Sequence, residues 1–185
     1  MFHRSCRTHS GRLTLIAGCL VTFTLGSVHA FSVFVLPLES FYSVGRSSVS
    51  FVYSLALLSL TIMVFFGHRF YGRCSPPNLT ALACIVAGSG LLIAGTSSSL
   101  IGVYVGYGVL FGAANGIGYG FVLQLVAQGL PSAAGAVMGI VTALYAIGAA
   151  VFAKIFTFLL QITTLANVMG VMAVSYTHLT LPTKA

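Results

Sequence analysis

The stretch GVLFGAANGIGYGFVLQLVAQG, residues 108–129, indicates the fold of the whole 185-residue sequence. It carries no charged residue, and as one helix it is long enough to cross a hydrocarbon core of about 30 Å. A glycine recurs at every fourth position, at Gly108, Gly112, Gly116 and Gly120. Small residues at this spacing let membrane helices approach one another closely. The stretch therefore predicts a membrane helix packed tightly against a neighbour.

The composition of the full sequence agrees with this interpretation. Hydrophobic residues make up 58% and charged residues 5%, which is unlike a soluble domain. The net charge of +7 comes from bases scattered singly, so we predict no nucleic-acid partner. Glu39 is the single acid, which excludes paired-carboxylate catalysis. We predict an integral membrane protein in contact with the lipid bilayer, with no enzymatic activity, cofactor or metal.

Five apolar segments are long enough to span a bilayer, and a sixth begins. We place the spans at residues 13–36, 48–66, 79–95, 100–127 and 133–159, with the sixth starting near residue 164. Pro37 is interpreted as the break after the first span. Short connections predict that consecutive helices are antiparallel neighbours. The predicted fold class is all-α, a polytopic membrane helix bundle of five full transmembrane helices and a truncated sixth.

The distribution of basic residues predicts the orientation. One side of the predicted membrane carries Arg4, Arg7, Arg12, Arg69 and Arg73. The other side carries Arg46, which Glu39 offsets, and Lys154. Because positively charged short loops stay in the cytoplasm, we expect residues 1–12 to form a cytoplasmic segment. The chain is then a multi-pass protein of the plasma (cell inner) membrane with a cytoplasmic N-terminus.

A weak internal repeat relates the first and fourth helices at an offset of 90 residues. It aligns Gly26 and Phe31 with Gly116 and Phe121, and it places the second and third helices over the fifth and sixth. Three-plus-three repeats of inverted topology are typical of transporters.

Two longer stretches resemble the major facilitator superfamily, in particular its oxalate/formate antiporter-like or monocarboxylate transporter-like branch. FSVFVLPLESFYSVGRSSVSFVYSL, residues 31–55, is similar to the junction of helices one and two. Residues 108–152 are similar to helices four and five, including the turn at Pro131 and the small-residue helix start at Gly135 and Gly139. The loop motif after helix two keeps Gly72 and Arg73, but Arg69 stands where the family has an acid.

The resemblance implies a transporter of about twelve helices that moves a small solute by alternating access. Residues 13–173 would be its N-terminal transmembrane half-domain, without the C-terminal half. The implied substrate-binding residues are His29, Asn115, Tyr119, Gln124 and Tyr145. An ionisable group inside a span, such as His29, marks a functional site by default, although a neutral histidine also packs between helices. Asn115 alternatively bonds to a neighbouring helix.

The end of the sequence differs in character from the rest. Residues 174–183, VSYTHLTLPT, resemble the translation of a transposon-end adapter used to prepare sequencing libraries. We therefore predict that residues 174–185 are a non-native tail and that the sixth helix is truncated. This chain is then a fragment, inactive in transport by itself.

A second hypothesis treats the chain as a small membrane scaffold or assembly subunit. In that case the glycine ridges, which include Gly135 and Gly139 of the fifth helix, bind partner helices. The first hypothesis, transport of a small organic anion such as a mono- or dicarboxylate, is the one that we favour.

Overall fold

The computed structural model describes residues 16–71 and 76–178, and these residues form six helices. The helices are α1 Ile16–Tyr42, α2 Arg46–Tyr71, α3 Pro76–Thr96, α4 Leu100–Gly129, α5 Ala134–Ile162 and α6 Leu165–His178. No strand occurs within the described ranges. The first five helices are long and apolar enough to cross a membrane. The chain is thus an all-α, multi-pass membrane helix bundle, as predicted.

The prediction that Pro37 ends the first helix is wrong. A 3-10 helical segment, Gly26–Phe34, passes directly into the α-helical segment Val35–Tyr42. Pro37 lies in the first turn of that α-helical segment, where the missing N–H of proline is tolerated. The helix ends instead at Ser43, whose φ of 52° is left-handed.

Consecutive helices are not always the main neighbours, contrary to the prediction from short connections. The most extensive contacts within the described ranges pair α2 with α4, α3 with both α4 and α6, and α1 with α5. A repeat relates α1, α2 and α3 to α4, α5 and α6, respectively. Under this repeat, the contact between α1 and α5 corresponds to the contact between α4 and α2. These two contacts are therefore related as a three-plus-three arrangement requires.

Close backbone approach holds both of these pairs together. At Gly112 an added Cβ atom would lie 2.5 Å from the Ala56 carbonyl oxygen of α2. In the α1–α5 pair, a Cβ atom at Gly26 would meet the Tyr145 carbonyl oxygen, and one at Gly148 would meet the Phe23 carbonyl oxygen. These two contact lines are called the glycine seams below. Only glycine permits such proximity of the two helix backbones.

The other glycines of the predicted ridges differ in their surroundings. Gly116 faces the backbone of Leu60, Gly108 faces the Leu55 side chain and Gly120 faces the Tyr71 hydroxyl. Gly135 and Gly139 of α5 have open space where a Cβ would stand. Packing of the α5 glycines against another helix stays a prediction.

Several sequence predictions lie outside the described residues. These are the cytoplasmic segment 1–12, the loop motif Gly72 and Arg73, and the tail from residue 179 onward. Residues 174–178 continue α6, and Tyr176 is buried within the bundle. The non-native origin of the tail stays a prediction.

Candidate functional site

Four aromatic or imidazole side chains from four helices meet inside the bundle. They are His29 of α1, Tyr53 of α2, Tyr119 of α4 and Tyr145 of α5, called the His29 cluster below. Three of them were predicted from the sequence. The helix pairs that hold the cluster are the two that the glycine seams bring together.

His29 is half-buried and lies within the 3-10 helical segment of α1. Its Nδ1 atom is 2.6 Å from the Tyr53 hydroxyl. Its ring stands edge-on to the Tyr145 ring, with centroids 5.0 Å apart. Since Tyr53 occupies Nδ1, Nε2 is the ring nitrogen that remains for a ligand. A 3-10 segment inside a longer helix often marks a functional position.

Tyr145 carries a buried polar group that the protein does not satisfy. The residue is 7% exposed, and its hydroxyl has no hydrogen-bond partner among the described residues. Its ring stacks on Tyr119 with centroids 4.6 Å apart. Leaving a buried hydroxyl unpaired costs about 1–3 kcal/mol, and tyrosine hydroxyls usually find a partner when buried. The Tyr145 hydroxyl is therefore a buried donor that the described residues leave unused.

Tyr119 lies at the more accessible edge of the cluster. Its hydroxyl is 3.1 Å from Thr142 Oγ1, which is 2.9 Å from the Met138 carbonyl oxygen. Thr142 has a single hydroxyl proton and donates it to that carbonyl. Tyr119 must therefore donate to Thr142, which fixes its ring over Tyr145.

The other two predicted residues, Asn115 and Gln124, also lie on α4, and their roles in binding stay predictions. Asn115 is fully buried, and its Nδ2 atom donates to the Phe111 carbonyl oxygen of its own helix at 3.3 Å. Its Oδ1 atom has no partner among the described residues. Gln124 lies on an exposed part of α4. Neither residue contacts the His29 cluster through a described hydrogen bond.

Sequence analysis missed Tyr53 and Thr142. Tyr53 bonds to His29, and Phe31 stacks on it with ring centroids 5.9 Å apart. A tyrosine inside an apolar span is a weak signal because tyrosine also packs as a large hydrophobe. Its role follows only from the position of α2 beside α1, which the sequence does not determine.

The described charged side chains lie away from the cluster. Glu39 and Arg46 form an ion pair of 2.9 Å across the turn between α1 and α2. Lys154 is exposed on α5, nine residues from Tyr145, or about 14 Å along the helix axis. No group of three or more metal-ligating side chains occurs in the described part of the chain. The cluster therefore offers neutral hydrogen-bonding groups and aromatic faces.

Comparison with known proteins adds one relative. No protein-family model matches the chain. The chain is 30% identical over 149 residues to the uncharacterized MFS-type transporter YhjX of Escherichia coli (strain K12). The matched region covers 80% of this chain and 37% of that relative. The chain thus corresponds to little more than a third of the length of the curated relative that it matches.

Proposed function

We propose that this chain is the first part of a transporter of the major facilitator superfamily, which moves a small organic anion by alternating access. The similarity to an MFS-type transporter over 149 residues is the observation that carries the proposal. In this proposal the transporter also has a C-terminal set of helices, which would complete the solute cavity. A mono- or dicarboxylate is the proposed class of solute.

The chemistry of the His29 cluster supports an anion as the solute. Tyrosine hydroxyls and an imidazole N–H donate hydrogen bonds to carboxylate oxygens. The described interior holds no carboxylate side chain that would pair with a cationic solute, because Glu39 is bonded to Arg46 at the α1–α2 turn. The unpaired Tyr145 hydroxyl gives one donor, and His29 Nε2 gives a second.

The helix packing supports movement around this cluster. The glycine seams bring the backbones of α1 and α5, and of α4 and α2, into direct contact. Small residues let membrane helices approach this closely, and in the proposed mechanism the helices shift against each other at these contacts. Alternating access in transporters with internal repeats proceeds by such rocking around a fixed central site.

The scaffold hypothesis rests on a separate observation. Gly135 and Gly139 have open space in front of their Cα atoms, as expected for a surface that receives another helix. However, Gly112, Gly116 and Gly148 are already used within the bundle. A pure scaffold also gives no reason for a buried, unpaired tyrosine hydroxyl.

An equilibrium binding experiment tests the proposal. The 185-residue chain is placed in lipid nanodiscs and incubated with radiolabelled acetate, lactate or malonate, with acetamide and tetramethylammonium as neutral and cationic controls. We expect saturable binding of at least one carboxylate, which excess unlabelled carboxylate displaces and the two controls do not. Binding of the cation in preference to every carboxylate would overturn the assigned solute class.

A flux experiment tests the proposed need for further helices. In proteoliposomes, we expect the 185-residue chain to give no carboxylate uptake above that of empty vesicles, because these helices line the proposed cavity on one side only. Uptake by the chain alone would show that no further helices are needed.

A further inference from the structure

We propose that His29 and Tyr53 form a proton-linked switch, in which protonation of His29 turns the Tyr53 hydroxyl toward the transported anion. This inference rests on the proposed function, since the switch acts on the same solute site. It assigns to Tyr53 a role in solute binding that the sequence did not indicate.

The switch depends on the direction of the hydrogen bond between Tyr53 and His29. The Tyr53 hydroxyl and His29 Nδ1 are 2.6 Å apart, and either atom can carry the shared proton. With neutral His29, a phenol O–H is a more acidic and therefore better donor than a neutral imidazole N–H. Tyr53 therefore donates to Nδ1, and the imidazole proton resides on Nε2.

Protonation of His29 must reverse that hydrogen bond. Imidazolium carries a proton on both ring nitrogens, so Nδ1 becomes a donor and the Tyr53 oxygen becomes its acceptor. One proton enters from solution and binds to Nδ1, while Tyr53 keeps its own proton. The hydroxyl proton of the half-buried Tyr53 is then free for a new acceptor.

The surroundings leave the solute as the natural acceptor. The described contacts of His29 and of its neighbours Ser27 and Phe31 bring tyrosines to this part of the bundle: Tyr53 of α2, Tyr107 and Tyr119 of α4, Tyr145 of α5 and Tyr176 of α6. Tyr107 and Tyr119 already donate to the Val28 carbonyl and to Thr142. If Tyr53 donated to the unpaired Tyr145 hydroxyl, the Tyr145 proton would in turn need an acceptor. A carboxylate has the lone pairs to accept from both Tyr53 and Tyr145.

The charged side chains of the described residues do not place a positive charge beside the His29 cluster. Lys154 lies about 14 Å along α5 from Tyr145, and Arg69 lies about 24 Å along α2 from Tyr53, at 1.5 Å per residue. Glu39 and Arg46 pair with each other. Imidazole is thus the group in the described interior that can gain a positive charge. Proton uptake and anion binding are then linked, and each favours the other.

Nitrogen-15 NMR tests the direction of the hydrogen bond without any solute. The full chain with labelled histidine is studied in nanodiscs, and His29→Gln identifies the His29 signals. In neutral His29, we expect Nδ1 to be unprotonated and to accept a hydrogen bond. The Nδ1 signal should shift in the Tyr53→Phe variant but not in Tyr104→Phe. Tyr104→Phe is the matched control, because it also removes a tyrosine hydroxyl, one that donates to the Ser48 carbonyl of α2. A protonated Nδ1 in the neutral ring would overturn the switch.

Calorimetry tests the link to the solute. Malonate and acetate are titrated into the full chain in two buffers of different ionisation enthalpy, just above the pH at which NMR shows His29 to lose its proton. We expect a net proton uptake on solute binding, of at most one proton per bound solute. His29→Gln, whose side-chain amide oxygen still accepts from Tyr53, should bind with no uptake. Tyr53→Phe should bind about tenfold more weakly, the loss of one hydrogen bond to a charged group.

The outcomes separate this inference from the proposed function. Carboxylate binding without proton uptake, or with the same uptake in His29→Gln, refutes the switch and leaves the anion site intact. If neither carboxylate binds the wild-type chain, the proposed solute class and the solute link both fail. The NMR result still decides the direction of the His29–Tyr53 hydrogen bond in that case.

Discussion

The glycine seams and the His29 cluster lie in the same two helix pairs, but the seams bury tightly packed backbone and the cluster buries a polar group without a partner. In the seams, Gly112 and Gly148 place backbone against backbone and leave no space for a single added carbon. In the cluster, the Tyr145 hydroxyl is buried without a partner. The seams are closed interfaces that stabilise the bundle. The cluster keeps an unsatisfied polar group, which is typical of a site that binds something else.

The largest effect on stability is expected at a seam. Gly112→Val would place its Cβ 2.5 Å from the Ala56 carbonyl oxygen and 2.8 Å from the Ala56 Cα. Because both are backbone atoms, α2 and α4 must separate. We expect the free energy of unfolding to fall by about 3 kcal/mol, the upper end of the usual cost of overpacking. Thermal unfolding in detergent measures it, and an unchanged midpoint would show that the seam is not a close interface.

The cluster should respond in the opposite way. Tyr145→Phe removes a buried hydroxyl that has no partner, so we expect the free energy of unfolding to stay the same or rise by about 1 kcal/mol. Carboxylate affinity should fall about tenfold, because one hydrogen bond to the solute is lost. Tyr104→Phe is the control and should keep full affinity. A marked loss of stability in Tyr145→Phe would show that the hydroxyl is satisfied within the bundle.

A smaller effect distinguishes the exposed glycines of α5 from those of the seams. No atom lies within 4 Å of an added Cβ at Gly139, and alanine is a better residue inside a helix. We expect Gly139→Ala to stabilise the chain by about 0.5–1 kcal/mol. Loss of stability in the same unfolding measurement would instead place this face of α5 against another helix, as the scaffold hypothesis requires.

The smallest effect is expected at Gln124. The side chain is exposed on α4 and makes no described hydrogen bond to the His29 cluster. Gln124→Ala should change carboxylate affinity by less than about twofold, well under the change that one hydrogen bond produces. A tenfold loss would return Gln124 to the site in which sequence analysis placed it.

The sequence was sufficient for the helix count and for most of the helix boundaries. Long apolar runs with glycine, serine and proline between them determine spans directly. Pro37 misled the prediction because the effect of proline depends on its position within a helix. That position was set by the 3-10 segment before it, which no apolar pattern reveals.

The site was predictable only in part because it depends on which helices are neighbours. His29, Tyr119 and Tyr145 were predicted as polar groups within spans, and the structure brings them together. Tyr53 could not be identified before α2 was placed beside α1. Asn115 bonds to the backbone of its own helix and Gln124 is exposed, so their roles in binding stay predictions.

The central claim is that a carboxylate binds at the His29 cluster, and a distance measured by solid-state NMR tests it most directly. The chain with nitrogen-15 histidine is saturated with carboxyl-labelled malonate, and His29→Gln identifies the His29 contribution. We expect a dipolar contact between His29 Nε2 and a carboxyl carbon at about 4 Å, the separation of a hydrogen-bonded pair. Saturable malonate binding with no such contact would contradict the claim and place the solute elsewhere in the bundle.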